Sequence, residues 1–190
     1  MAAARRTRRQ SDLLDRLVVL MAAEGFSSFT LDDLALRMRC SKTTLYALAD
    51  SKQALVVEVV KQYFRAAAVA VEARVDEQTD PAARVAAYLS AVAAQLRPLS
   101  RAFMADLASY PPAEEVYRRN TAAAADRIRT LVSEGVEAGA FRPVHAAFAG
   151  EMAAATMFEI QRGELFERLE MTDSEAYAEL ASLLLAALVP

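Results

Sequence analysis

The sequence predicts an all-α protein, in which an N-terminal three-helix domain of helix-turn-helix type is followed by a C-terminal helical domain, about nine helices in all. Three observations lead there. Apolar residues recur at helical spacing in one stretch after another and nowhere alternate as a half-buried strand would. The chain of 190 residues is 55% hydrophobic, rich in alanine and sparse in Gly (5) and Pro (6), a composition suited to closely packed helices. Helix entrances carry Ser, Thr or Asp, whose side chains cap the free backbone N–H groups there.

Residues 1–9, MAAARRTRR, have no apolar period and are expected to form a disordered basic arm. Arg5, Arg6, Arg8 and Arg9 would either lie in solvent or follow DNA phosphates and the minor groove. A first helix is expected over Ser11–Glu24, with Leu13, Leu14, Leu17, Val18, Leu20 and Met21 on its inner side and Gly25 as terminator. Phe26 and Phe29 would fill the small core beside it.

The stretch TLDDLALRMRCSKTTLYALADSKQAL, residues 30–55, carries two short helices separated by a tight turn. Thr30 caps the first, with Asp33 at the third helical position reaching back and Phe29 stapling onto Leu34. The stripe Leu31, Leu34, Ala35 and Met38 faces inward. Ser41 caps the second helix, Lys42–Leu48, which has Leu45 and Leu48 to bury and leaves Lys42, Thr43, Thr44 and Tyr46 outward. A cation, two hydroxyls and a phenol in that order can meet base edges and phosphates. Tyr46 as a packing aromatic and Lys52 as a solvated charge are the plainer alternatives.

A long helix follows over about Ser51–Val75, roughly 35 Å at 1.5 Å per residue. Asp80-Pro81 caps and opens the next, to about 96, and Arg97-Pro98 ends it. A shorter helix covers about 99–109, and Pro111-Pro112 starts a long one that Gly139 closes. His145 opens a helix to about 162. The Thr172-x-x-Glu175 capping box opens the last, about 173–188. Domain limits are expected at 1–9 for the arm, 10–55 for the helix-turn-helix domain and 56–190 for the helical body, which the family resemblance given below makes a ligand-binding and dimerisation domain.

Net charge is −3, yet it is unevenly spread: residues 1–65 carry eleven Lys and Arg against seven Asp and Glu, while residues 66–190 carry eleven against eighteen. The basic part is therefore the part with the helix-turn-helix signal. A single cysteine, Cys40, excludes an internal disulfide and fits a reducing cytoplasm. In the turn it acts as a small hydrophobe, a redox-sensing role being the alternative. No apolar run reaches the 18 or so residues of a membrane span. One histidine, His145, supports no multi-histidine metal site, and HExxH, GxSxG and GxGxxG are all missing, so an enzyme, a metal or a cofactor is not expected.

Residues 11–60 resemble the DNA-binding domain of the TetR family of transcriptional regulators. The resemblance lies in a helix ending Glu-Gly-Phe, then Phe-Thr-Leu-x-x-Leu-Ala, Ser-Lys-x-Thr-Leu-Tyr, and Ser-Lys-x-x-Leu opening a long helix, all in register. It implies that Ser41 caps a recognition helix whose Lys42, Thr43 and Thr44 face the major groove. Tyr46 and Lys52 would reach phosphates, and Thr30 would do so through its hydroxyl or amide. Arg39 stands where the family has Gly in the turn and would add a phosphate contact. Thr43 replaces the family's Gly in the recognition helix, and Leu48-Ala49 its aromatic pair, so the operator is not inherited.

The resemblance further implies a homodimer through the last two helices, whose apolar residues include Leu180, Leu183, Leu184, Leu185, Leu188 and Val189. Ordinary core packing is the alternative for that stripe. A small-molecule effector is implied in the body. There Tyr88, Phe103, Met104, Leu107, Tyr110, Tyr117, Met152, Met157, Phe158 and Gln161, scattered among alanines, suggest an apolar or aromatic ligand. The implied whole is a cytoplasmic repressor released from operator DNA when ligand alters the long fourth helix. The rivals are a small-molecule binder or enzyme with a vestigial DNA-binding head, and an accessory DNA binder with no effector.

Overall fold

The computed structural model describes residues 6–162 and 169–189. Among the described residues there are nine helices and no strand. They are α1 (Arg8–Glu24), α2 (Leu31–Met38), α3 (Lys42–Tyr46), α4 (Lys52–Asp76), α5 (Pro81–Leu96), α6 (Arg101–Ser109), α7 (Pro111–Glu137), α8 (Ala146–Arg162) and α9 (Asp173–Leu188). The chain divides into two compact units, one of residues 1–65 with 99–117 and the other of 66–98 with 118–190. Helix α4 runs without a break through residues of both.

In the first unit α1 begins earlier than its apolar period suggests. Thr7 and Gln10 form a capping box, the Gln10 amide donating to Thr7 Oγ1 at 3.3 Å and the Thr7 amide to Gln10 Oε1 at 2.8 Å. Arg8 and Arg9 are thus helical and exposed, which corrects the disordered arm as far as these two residues. Arg6 pairs with Glu58 at 2.5 Å. Arg5 lies outside the described residues.

Leu14, Leu17 and Met21 of α1 are fully buried with Leu34, Leu45, Leu55, Val59 and Val60. Truncating any of the leucines to alanine would cost about 2–5 kcal/mol through lost burial and a residual cavity. Helix α6 packs on α1 in the same unit.

Expectation and structure agree at both helix entries of the helix-turn-helix. The Asp33 amide donates to Thr30 Oγ1 at 3.2 Å and the Thr30 amide to Asp33 Oδ2 at 2.8 Å, and the Thr44 amide donates to Ser41 Oγ at 3.1 Å. Between them Arg39 is left-handed, with φ 52°, and the chain turns as the Cys40 amide bonds Ala35 O at 2.9 Å. Helix α3 stops at Tyr46 rather than Leu48; Ala47 caps it and Leu48 is buried in the turn after it.

In the second unit α9 packs on α5 and α8. The core there gathers Val75, Val85, Leu89, Ile128, Leu131, Val132, Ile160 and Tyr177. Phe141 lies so close over α7 that a Cβ on Gly135 would sit 2.2 Å from its ring. The Arg142 amide and Nε donate to the last carbonyls of α9, at Leu188 (2.9 Å) and Ala187 (2.5 Å). His145 Nδ1 accepts the Phe148 amide at 3.2 Å, giving the lone histidine a capping role at the start of α8. Arg127 grips Glu72 through Nε at 3.0 Å and a terminal nitrogen at 2.8 Å, and Arg84 binds Glu134 at 2.5 Å.

Candidate nucleic-acid interface

Helix α3 exposes Lys42, Thr43, Thr44 and Tyr46 while Leu45 is 1% exposed. One buried leucine anchors the short helix, and its other side chains remain outside. Ser41 and Arg39 are exposed beside them, as is Thr30 at the head of α2. Tyr46 is half exposed at 49%. The hydroxyls of Ser41 and Thr44 lie 2.9 Å apart.

Two of the candidate cations already have partners in the protein. Lys42 Nζ lies 2.7 Å from Asp32 Oδ1, an interaction that raises the lysine's pKa. Lys52 Nζ donates to Ser27 O at 2.9 Å, tying the start of α4 to the loop between α1 and α2. Three ammonium hydrogens leave capacity for a phosphate in addition. Neither Asp32 nor Ser27 stood out in the sequence, because partners so far apart share no motif.

Other contacts fix the frame of this face. Arg16 of α1 donates to Met38 O at 3.0 Å, placing a cation on the C-terminal carbonyls of α2 where the helix dipole favours it. Arg37 pairs with Glu24 and lies 5.6 Å from the centre of the Phe29 ring. The bond from the Thr30 side chain, then that from its amide, hold the Asp33 carboxyl below its ordinary pKa. Cys40 is half-buried and burial pushes its thiol up, which opposes the thiolate a redox sensor needs.

The ten candidate effector residues, Met152 in the second unit among them, are divided between the two units. Phe103, Met104, Leu107, Tyr110 and Tyr117 belong to the first, Tyr88, Met157, Phe158 and Gln161 to the second. In the first unit the aromatics touch one another: Phe26 meets Phe103 edge-on at 5.8 Å and Tyr110 at 6.4 Å, while Phe64 meets Tyr117 at 5.3 Å. Leu107 is buried and Met104 half-buried. In the second unit Tyr88 and Met157 are part of the core. Tyr88 donates to Ala124 O at 3.4 Å, and burial, with Glu72 adding to it, raises the pKa of its phenol. Phe158 is half-buried, Met152 is 52% exposed, and the side chain of Gln161 lies outside the described residues. Among the described residues no three His, Cys, Asp or Glu side chains gather as a metal site would need.

Residues 13–59, spanning α1 to the first turns of α4, match the family model for bacterial regulatory proteins of the tetR family. The chain carries a TetR-family regulatory domain. The fold around it is of TetR type over nearly its whole length. A TetR transcription regulator from Haloarcula marismortui superposes with a TM-score of 0.79 at 17% identity, covering 96% of this chain and 98% of that one. A TetR-family regulator from Agrobacterium tumefaciens gives 0.72 at 17% identity, covering 96% and 98%. The fatty acid degradation regulator FadR from Bacillus halodurans gives 0.74 at 16% identity, covering 95% and 96%. No curated protein sequence matches the chain. Within the TetR-family domain the family's turn glycine is replaced by Arg39, which nonetheless takes the left-handed backbone that a glycine adopts freely. Helix α6 and the start of α7, outside the matched residues, belong to the same compact unit.

Proposed function

We propose that this protein is a homodimeric, cytoplasmic transcriptional repressor that leaves its operator when a small apolar or aromatic ligand binds, and that it has no catalytic activity. The observation that carries the DNA-binding part is α3: five residues, capped by Ser41, anchored by one buried leucine, with Lys42, Thr43, Thr44 and Tyr46 all exposed. Lys42, Thr43 and Thr44 read bases, while Tyr46, Lys52, Arg39 and Thr30 contact phosphates and set the register. Among the described residues no helix is long and apolar enough to cross a membrane.

The dimer reading rests on exposed apolar side chains at the end of the chain. Phe148 and Met152 on α8 are 66% and 52% exposed, and Leu183 on α9 is 69% exposed. Large apolar groups so placed on two packed helices favour a second copy as cover. Leu188, by contrast, is buried within the chain's own core, so the core alternative holds for that residue. The effector reading keeps Tyr88, Met157 and Phe158 of the second unit as its nearest residues. The rings of Phe103, Tyr110 and Tyr117 are engaged within the first unit.

The test is a duplex selected by the wild-type chain from a random-sequence library. Tyr46→Phe and Lys52→Ala are expected to lower affinity for it without changing the selected sequence, and Thr43→Ala and Thr44→Ala to change the sequence itself. If the wild-type chain selects no duplex even at low salt, the repressor reading falls and a vestigial head remains.

A further inference from the structure

Helix α6 holds the loop between α1 and α2 by a set of contacts. Asp106 Oδ2 accepts two consecutive backbone amides of that loop, Phe26 at 2.5 Å and Ser27 at 2.8 Å. The Ser100 amide, at the cap of α6, donates to Ala22 O at 2.8 Å. Phe103 and Tyr110, one helical turn to either side of Asp106, place their rings edge-on against Phe26. The fit leaves no room for a side chain at Gly25, where φ is +80° and a Cβ would stand 2.6 Å from Asp106 Oδ2 and 3.2 Å from Ala102.

The same loop is also held by α4. Ser27 offers its amide to Asp106 and its carbonyl to Lys52 Nζ, the latter at 2.9 Å. Phe29 and Thr30 follow at once, the first buried and the second capping α2. Burial alone would raise the Asp106 carboxyl. Bonds from the Ser27 side chain and amide, from the Phe26 amide and the charge of Lys52 outweigh it and hold the pKa below the ordinary value, so the group is a carboxylate at neutral pH.

We infer that Asp106 is a positioning residue of the DNA-binding unit: touching no DNA itself, it fixes the Phe26–Ser27 backbone and, through the Ser27 carbonyl, the ammonium of Lys52. The inference rests on the DNA-binding reading proposed above. It adds a residue from outside the region matched by the family model to the set that determines affinity. A lysine side chain has four rotatable bonds and reaches many positions. A carbonyl held in place by a charged neighbour restricts it to one.

The experiment uses the full chain and the duplex that the wild-type protein selects. Asp106→Asn keeps the size of the side chain but removes its charge. It should lower affinity about tenfold, with the selected sequence unchanged. Lys52→Ala should lower it by a similar factor. The double variant should bind no more weakly than Lys52→Ala alone, because both changes break one chain of contacts. Wild-type-like binding by Asp106→Asn, or its full penalty persisting beside Lys52→Ala, would overturn the assignment. A second measurement needs no variant. In the wild-type chain the Phe26 and Ser27 amides should exchange with solvent more than tenfold more slowly than unprotected amides, and unprotected exchange would equally overturn it. Failure to select any duplex, with these amides protected, would sink the repressor reading and leave the clamp standing.

Discussion

Arg39 shows how much one backbone angle decides. Its φ of 52° lies in the region where an L side chain crowds its own carbonyl, at a cost of about 1–2 kcal/mol relative to right-handed backbone. Arg39→Gly should therefore raise the free energy of unfolding by about 0.5–1 kcal/mol, once the greater freedom of glycine in the unfolded chain is subtracted. Urea denaturation would measure that gain. If Arg39 also meets a phosphate, the same variant loses about one unit from the salt dependence of DNA binding. Tyr63 makes a different prediction, since burial pushes its phenol up to about 12. The folded state then keeps a proton that the unfolded chain releases near pH 10. Stability from this group is complete below pH 10 and is lost as pH rises toward 12. Tyrosinate absorbance should show the same delay, and Tyr63→Phe should remove part of it; Tyr88 is raised in the same direction. At this scale the sequence was a good guide to exposure, with Leu45 and Leu48 inward and Lys42, Thr43, Thr44 and Tyr46 outward. It was silent on Asp32 and Asp106, whose partners stand 10 and about 80 positions away and are brought together only by folding.

Among the elements, capping chemistry separates what the sequence revealed from what it hid. Thr30 with Asp33 and Thr172 with Glu175 were legible because a clear apolar stripe follows each cap, and both boxes are present. Thr7 with Gln10 forms the same device, but four arginines around it have no apolar period, so the first turn of α1 was hidden. Thr7→Ala should cost about 1 kcal/mol and fray that turn, visible as faster amide exchange at residues 8–10. Fold class and the order of helices followed from periodicity and punctuation, which are local. The end of α3 did not, since Leu48 continues the apolar period yet is buried from a turn. Gly135, within α7, was not singled out in the sequence. It is the place where the Phe141 ring meets the α7 backbone, and Gly135→Ala should cost about 1–3 kcal/mol by forcing that ring aside.

For the whole molecule, the aromatic and methionine residues scattered along the body suggested one effector pocket, and the structure distributes them over two compact units. Sequence spacing could not separate them, because α7 contributes Tyr117 to one unit and its later turns to the other. The apolar residues of the last helix divide between core and surface, Leu188 being buried while Leu183 and Val189 are exposed. Phe148→Glu combined with Leu183→Glu should convert a dimer into a folded monomer. Sedimentation would detect the change, and helical content should be kept because both side chains are exposed in the single chain. A mixture that remains dimeric would move the interface elsewhere.

The ion pair of Lys42 with Asp32 has a consequence for how such a protein would leave DNA. Its two side chains are 49% and 73% exposed, so the pair is weak and exchanges readily. On the proposed reading Lys42 meets a base edge, so in the unbound protein Asp32 would occupy the place of the base's acceptor. Docking on DNA would then exchange one acceptor for another at Lys42, and the Asp32 carboxylate beside the duplex would offset part of the attraction that a tally of basic residues implies. Affinity should fall less steeply with added salt than that tally suggests, and Asp32→Asn should both strengthen binding and steepen the slope. The acidic neighbour serves as a resident competitor, holding the lysine in readiness while shortening the time the complex lasts.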